Sequence, residues 1–350
     1  MPEKASAIGR SFFYSLFLKS STQPILKLPT HFSTISSEND FKSVALETFQ
    51  FQYKHVEVYR RFCQLLKVRP DTVSEIKQIP FLPIQFFKTE TILTDGLQAE
   101  KTFNSSGTTG TITSQHYVAD LEYYEISFLK AFQQFYGDAK EFAILALLPS
   151  YLERGGSSLV YMANRLISES KNLHSGFYLN NLTELIEKLK ILEAKGQKTL
   201  LLGVSYALLD LIERQKFQLK HTIIMETGGM KGRREELIKS ELHDILTEGF
   251  GVEKIHSEYG MTELLSQAYS KGNGIYQCPP WMKILTRDTE DALTYITGKT
   301  GGLNIIDLAN THSCSFIATQ DLGKLQQDTT FEVMGRFDNS DIRGCNLMVL

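Results

Sequence analysis

Asn104-Ser105-Ser106-Gly107-Thr108-Thr109-Gly110-Thr111-Ile112-Thr113-Ser114 is the stretch from which the rest of the chain is read. These eleven residues hold two glycines, four threonines and three serines, with no acid and no base. Such a segment has too little apolar surface to build a core. Successive amides in a glycine-rich turn form a concave nest of partial positive charge, and hydroxyls add donors around it. The guest that fits is a polyphosphate. A flexible Ser/Gly loop has the same composition, and the choice between the two rests on fragments further along the chain. The stretch also narrows the fold. A Walker-type loop needs a lysine directly after its last glycine, whereas Gly110 is followed by Thr111. The dinucleotide fingerprint needs three glycines spread through a strand-to-helix turn, a spacing this stretch lacks.

Outward from the loop, Leu121 to Phe135 carries a helical apolar stripe, and Phe142 to Leu148 has the composition of a buried strand. The alternation continues through helices at 157–167 and 182–192, a strand at 199–202, a helix at 206–212 and a strand at 222–225. A helix at 233–246 and a short strand at 254–256 follow. Strands of four to seven apolar residues between longer helices predict an α/β fold with mostly parallel sheets. From about Gly298 the pattern changes to short strands at 303–307, 315–318 and 331–334, which predicts a small antiparallel β subdomain reaching, with the tail, to residue 350. Upstream, Ser37 and Asn39-Asp40 offer caps for a helix with Phe41, Ala45, Leu46, Phe49 and Tyr53 on one face. A second helix is expected over Val58 to Leu66. The prolines of Ile79-Pro80-Phe81-Leu82-Pro83-Ile84 impose extended backbone. Residues 1 to about 35 read as a loosely attached extension, and 36–297 as the α/β core.

Composition excludes several classes. The chain has 350 residues, 42% of them hydrophobic, enough for one large core or two smaller ones. A formal net charge of −3 gives no electrostatic reason to expect nucleic acid or an acidic membrane surface. No stretch approaches the roughly 18 apolar residues of a membrane span. The run Phe12 to Leu18 after Arg10 suggests a secretory signal only superficially, because it is short, Lys19 ends it and no small-x-small site follows. The cysteines at 63, 278, 314 and 345 have no CxxC pairing and no zinc-type spacing, and read as reduced thiols of a cytosolic protein.

Ligands of open α/β sheets collect outside the carboxyl ends of the strands, and three further loops fall there. In Glu226-Thr227-Gly228-Gly229-Met230 two glycines allow a flat ring such as adenine to approach the backbone; a plain strand-to-helix turn reads the same way. In Ser257-Glu258-Tyr259-Gly260-Met261-Thr262-Glu263, Tyr259 is placed to stack on a base, Thr262 to donate to a phosphate and Glu263 to hold Mg²⁺; the alternative is an ordinary helix cap. In Ala318-Thr319-Gln320-Asp321-Leu322-Gly323-Lys324, an aspartate at a strand end suits ribose hydroxyls, with Arg336 reaching the ribose or α-phosphate from the other side.

Taken in order, these fragments resemble the adenylate-forming (acyl-CoA synthetase-like) superfamily. Ser105-Ser106-Gly107-Thr108-Thr109-Gly110 is similar to its phosphate-binding loop, Thr227-Gly228-Gly229 falls where its adenine loop falls, and Tyr259-Gly260-Met261-Thr262-Glu263 is similar to its most specific motif. Asp321-Leu322-Gly323 resembles its ribose-binding segment, with Gln320 in place of the usual glycine. Within the superfamily the chain resembles the LuxE-type acyl-protein synthetases. The fragments concerned are Ile79-Pro80-Phe81-Leu82-Pro83-Ile84-Gln85-Phe86-Phe87-Lys88, Arg154-Gly155-Gly156-Ser157-Ser158-Leu159 and Arg343-Gly344-Cys345-Asn346-Leu347.

The resemblance, over roughly residues 38 to 350, implies a two-step activity: ATP- and Mg²⁺-dependent activation of a fatty acid, then acyl transfer to an enzyme cysteine. A partner acyl reductase would receive the acyl group. It assigns Cys345, Glu263 and Thr262 to catalysis. It assigns Ser105, Ser106, Gly107, Thr108, Thr109, Gly110, Gly228, Gly229, Tyr259, Gly260, Met261, Asp321 and Arg336 to the nucleotide, and Glu263 to the metal. It also implies an adenylate-forming N-terminal-domain fold without the large lid domain of full-length members, whose lysine has no counterpart by motif. Lys231, Arg233 and Arg234 are candidates for that charge, or else the solvated start of a helix. Arg343 beside Cys345 would lower the thiol pKa and raise the thiolate fraction. Cys63, Cys278 and Cys314 read as packing residues. An acyl-CoA ligase releasing a soluble thioester, or a nucleotide- or acyl-binding module without activity, remains an alternative. Tyr151 to Tyr161 and Gly203 to Ala207 are the segments expected at an acyl pocket.

Overall fold

The computed structural model describes residues 27–105, 113–149, 155–228, 234 and 237–337. Ser37 caps the first helix, its side chain accepting from Asp40 N. The chain then runs through α1 (Glu38–His55), α2 (Glu57–Leu65), β1 (Leu82–Pro83), α3 (Phe86–Thr89), and the β2 (Lys101–Asn104) and β3 (Gln115–Val118) hairpin that carries the hydroxyl-rich loop. Alternating elements follow: α4 (Leu121–Tyr136), β4 (Ala143–Leu147), α5 (Ser158–Ser170), β5 (Gly176–Phe177), α6 (Leu182–Ala194), β6 (Thr199–Val204), α7 (Ser205–Arg214), β7 (Thr222–Thr227), α8 (Lys239–Phe250) and β8 (His256–Tyr259). The last part is all strand: β9 (Ala268–Ser270), β10 (Ile275–Gln277), β11 (Met282–Arg287), β12 (Tyr295–Ile296), β13 (Thr300–Asp307), β14 (Phe316–Leu325) and β15 (Phe331–Arg336).

Thirteen strands join in one mixed sheet, in the order β12-β11-β13-β14-β15-β10-β9-β8-β7-β6-β4-β5, with β1 added alongside β14. The half from β5 to β8 is parallel. Its central strands read as continuous apolar runs because both faces are covered: all of Ala143 to Leu147 and Thr199 to Val204 is buried. From β8 onward the pairing is antiparallel through to β12. The α/β fold with parallel strands and an antiparallel C-terminal part agrees with expectation. The antiparallel strands continue the main sheet, however, through the β8–β9 and β10–β15 pairings.

Several boundaries differ from those the sequence predicts. The extension expected to reach residue 35 is tied down before that point. Phe32 is buried and packs edge-on against Trp281 at 5.5 Å, and Thr30 Oγ1 donates to Glu47 at 2.8 Å. The helix expected from Arg233 begins at Lys239, after extended backbone at Ile238. The strand expected at 254–256 runs over His256–Tyr259, so Tyr259 is a strand residue. The run 222–225 extends to Thr227, which brings Glu226 and Thr227 into β7.

Gln52 ties α1 to the β13–β14 connection. Fully buried, it donates through Nε2 to the carbonyls of Asn310 at 3.0 Å and Thr311 at 2.9 Å and to Ser315 Oγ at 3.1 Å, while Oε1 accepts from Ser315 N at 3.0 Å. Truncating it strands buried backbone groups with no water to replace the lost partners. Gln52→Ala is expected to lower the unfolding free energy by about 3 kcal/mol, measured by urea denaturation.

Candidate functional site

Pro149 after β4, Ser205 after β6, Gly228 after β7 and Gly260 after β8 all line one cleft of 2070 Å³. The carboxyl ends of neighbouring parallel strands therefore open into it, as the strand rule requires. Of the nucleotide-binding residues expected from sequence, Ser105, Gly228, Tyr259, Gly260, Met261, Asp321 and Arg336 line this cleft, together with Thr262 and Glu263. Ser106 to Gly110, Gly229 and Cys345 lie outside the described residues. The hydroxyl-rich loop has a closed stem. Ser105 N donates to Ser114 O at 3.0 Å, and Ser114 N donates back to Ser105 Oγ at 2.9 Å.

Asp321 is the centre of a polar cluster in the cleft. It lies in the middle of β14 rather than at a strand end, next to a register shift between Leu322 and Gly323, and directly opposite Arg336 of β15. Arg336 Nε donates to Asp321 Oδ1 at 2.9 Å and Tyr259 OH donates to Oδ2 at 2.8 Å. Each carboxylate oxygen keeps a further lone pair for a hydroxyl donor. Tyr259 lines the cleft with little of its surface exposed. Its ring is buried, edge-on to Tyr276 at 5.8 Å and to Phe331 at 5.7 Å, and its hydroxyl orients Asp321. Burial and the adjacent Asp321 carboxylate hold the phenol well above its usual pKa, so it remains a donor.

The turn after β8 is held from beneath by side chains that sequence reasoning missed. His116 of β3, fully buried, places Nδ1 2.8 Å from Thr262 O and Nε2 3.0 Å from Asn310 Oδ1. Asn310 Nδ2 donates to Glu263 O and to Cys314 O, each at 2.9 Å. Asp307 accepts from Leu265 N at 2.7 Å, Ser266 N at 2.9 Å, Ser266 Oγ at 2.5 Å and Ala309 N at 3.2 Å. No spacing or motif marks any of these residues in the sequence. Gly260 is required because a Cβ there would stand 2.5 Å from Glu258 Oε1, and Glu258 accepts from Thr227 Oγ1 at 2.5 Å. Gly228 adopts a left-handed φ of +61° and its carbonyl accepts from Ser205 Oγ at 2.9 Å.

Glu263 is 6% exposed, and burial raises its pKa against the pull of a hydrogen bond from Ser114. A carboxylate with neighbouring hydroxyls at a phosphate cleft is the donor set Mg²⁺ takes alongside nucleotide oxygens; the residues present fit the ion. Among the described residues no group of three or more His, Cys, Asp or Glu gathers to hold a metal. Tyr124, Leu159, Met162, Leu179, Val204 and Tyr206 add apolar side chains to the cleft lining, which includes parts of both segments expected at an acyl pocket.

Arg234 does not face this site. Its guanidinium takes Glu213 of α7 in a bidentate pair at 2.7 and 2.8 Å and also binds Asp210. Lys231 and Arg233 lie outside the described residues. Cys63 and Cys314 are buried, and burial pushes the Cys63 thiol up to about 12. Burial likewise raises the thiol pKa of the half-buried Cys278. No helix among the described residues is long and apolar enough to cross a membrane.

The architecture is that of the adenylate-forming ligases. An open-conformation 2-hydroxyisobutyryl-CoA ligase, crystallised with 2-HIB-AMP and CoA, superposes with a TM-score of 0.62 at 12% identity, covering 86% of this chain and 71% of that one. ATP-bound MatB from Rhodopseudomonas palustris gives 0.51 at 15% identity over 67% of this chain; the match spans only 47% of MatB. Within that class the chain is similar to the LuxE-type proteins. Residues 24–122 match the family model described as acyl-protein synthetase, LuxE. The long-chain-fatty-acid–luciferin-component ligase of Vibrio harveyi is 22% identical over 325 residues, 85% of this chain and 84% of that protein.

Beside the glycines of the β7 loop lies a buried ion pair. Lys239 Nζ donates to Glu226 Oε1 at 2.7 Å and to Tyr276 OH at 2.6 Å, and His243 Nε2 lies 3.5 Å from the same carboxylate oxygen. Burial alone would raise the Glu226 pKa; the His243 hydrogen bond and the Lys239 ammonium overcome it and bring it down to about 2. Lys239→Met leaves that carboxylate buried without its cation. It is expected to cost about 2 kcal/mol in chemical denaturation, and adding Glu226→Gln should recover most of the loss.

Proposed function

We propose that the protein activates a carboxylic acid of the fatty class with ATP to an acyl-adenylate, and then passes the acyl group to the Cys345 thiol for delivery to a partner acyl reductase. The observation that carries this reading is the convergence of Ser105, Gly228, Tyr259 to Glu263, Asp321 and Arg336 on one cleft with apolar side chains in its lining. The similarity to the Vibrio harveyi ligase supports the choice of acid.

The chemistry follows from what a carboxylate lacks. It is a poor acyl donor because its leaving group would be oxide. Attack on the α-phosphate converts that oxygen into part of AMP, which leaves readily. Both reactants are anions, so the site must hold them in line and lower their mutual repulsion. Asp321, braced by Tyr259 and Arg336, receives the ribose hydroxyls. The amides and hydroxyls between Ser105 and Ser114 take the phosphate chain. Glu263, with Ser114 and Thr262 beside it, holds Mg²⁺, which screens the phosphate charge when bound. The apolar side chains of the lining receive the alkyl chain and exclude water from the mixed anhydride. Cys345 then attacks the acyl carbon as thiolate, and AMP departs.

Two substitutions separate the half-reactions. Cys345→Ser is expected to keep acid-dependent ATP–pyrophosphate exchange while losing the radiolabelled acyl group on the protein; unchanged labelling removes Cys345 from the scheme. Glu263→Ala should reduce the exchange by about a hundredfold or more, and parental exchange rates would contradict its metal role. A screen of carboxylic acids in the exchange assay, with and without CoA, identifies the substrate and shows whether a soluble thioester is released instead.

A further inference from the structure

Lys88 closes the Ile79 to Lys88 segment, to which the adenylation scheme gives no task. Leu82 and Pro83 of β1 pair in parallel with Ile317 and Ala318 of β14, and Ile84 N donates to Ala318 O at 3.0 Å. Because the pairing is parallel, α3 emerges at the end of the pair toward which β14 carries Asp321. On the next side, Phe87 is 1% exposed and its ring stands perpendicular to His116 at 5.6 Å. That same imidazole contacts Thr262 O. The short helix is thus fixed to both the Asp321 strand and the Thr262–Glu263 turn, and Lys88 itself is exposed and lines the cleft.

The other lysines and arginines lining the cleft are differently placed. Arg336 is paired with Asp321, and Lys239 with Glu226. Lys254 precedes β8, at the end of that strand away from Tyr259. Lys88 makes no ion pair and no side-chain hydrogen bond with a described residue. It is therefore an uncommitted positive charge, rigidly carried to a cleft whose proposed reactants are both anions.

We propose that Lys88 is a catalytic residue of the adenylation step, its ammonium contacting the negative charge shared by the incoming carboxylate and the α-phosphate; this rests on the acid-activation reading above. In the step, a carboxylate oxygen forms a bond to the α-phosphorus while the bond from that phosphorus to the bridging oxygen of pyrophosphate breaks. The electron pair leaves with pyrophosphate and no proton moves. Lys88 stays protonated throughout and offsets repulsion between the two anions as they close. The second half-reaction, thiolysis of the finished adenylate, brings together no such pair and does not need it.

The test compares the full-length parent with Lys88→Ala, Lys88→Gln and Lys88→Arg. Acid-dependent ATP–pyrophosphate exchange is expected to fall about a hundredfold in the Ala and Gln variants, with partial recovery in Lys88→Arg. Transfer from a chemically prepared acyl-adenylate to a thiol should stay at the parental rate in all of them. Independently of activity, acetylation of Lys88 by an amine-reactive ester, read by mass spectrometry, should be suppressed by a non-hydrolysable acyl-adenylate analogue. Parental exchange in Lys88→Ala, or acetylation indifferent to the analogue, overturns the Lys88 role alone. A parent that exchanges pyrophosphate with no acid overturns the activation reading and the Lys88 role with it. An equal loss in both half-reactions with a lowered melting temperature assigns Lys88 to stability and overturns its role in adenylation.

Discussion

The turn between β8 and β9 has no ladder of its own, and the site depends on how its backbone polar groups are met. A buried peptide group without a partner costs about as much as a lost hydrogen bond. Thr262 and Glu263 expose their carbonyls inward, and Leu265 and Ser266 expose their amides. His116, Asn310 and Asp307 receive these groups from β3, from the β13–β14 connection and from the end of β13. Two segments distant from it in sequence, β3 and the end of β13 with its following connection, therefore fix one loop. The Glu263 carboxylate can be buried at the cleft because the backbone carrying it has no freedom to swing outward. Gln52 extends the same frame to α1 by bonding the carbonyls of Asn310 and Thr311, so helix, hairpin and sheet share one set of polar contacts.

The parts of this arrangement that were legible in the sequence are those governed by local periodicity or by glycine. Leu121 to Phe135, the strands at 199–202 and 222–225 and the Ser37 cap are set by side-chain spacing and short-range hydrogen bonding, which a single sequence displays. Gly260 and Gly228 are equally local, one excluding a Cβ beside Glu258 and the other adopting positive φ. Asp321 was read as lying at a strand end because the strand was expected to stop at residue 318, short of Gly323. In the sheet that glycine serves close packing, since a Cβ there would stand 2.2 Å from Glu332 O, and the strand continues to Leu325. His116, Asn310 and Asp307 were illegible for a physical reason. Their partners lie 146, 47 and 42 residues away, and a lone polar residue does not announce a distant carbonyl.

The surroundings of Tyr259 come from tertiary packing that no local pattern displays. Tyr259 precedes a glycine at a strand end, a position from which a ring can reach solvent and a base. Instead the antiparallel strands added after β8 bring Tyr276 and Phe331 around it, and the ring becomes core. Its hydroxyl donates to Asp321, and the residue still lines the cleft. The Asp321 carboxylate, set between a phenol and a guanidinium, has its rotamer fixed before any ligand arrives. Less conformational entropy is then lost on binding than at a free surface aspartate.

Charge inside the cleft is arranged so that ligand binding relieves a cost already built into the fold. Arg336 and Lys239 are each committed to a carboxylate, so the β14–β15 and β7 sides of the cleft carry paired rather than net charge. Glu263 makes no ion pair with a described residue, and burial disfavours its ionised form against the weaker pull of Ser114 and the more distant Arg336 charge. A desolvated carboxylate of this kind gains more from a divalent ion than a hydrated one does, because its dehydration has been met during folding. Burying an acid at 6% exposure thus suits the metal–nucleotide role proposed for Glu263. The uncommitted ammonium of Lys88 has the opposite environment, exposed and solvated, so it costs nothing until two anions are brought against it.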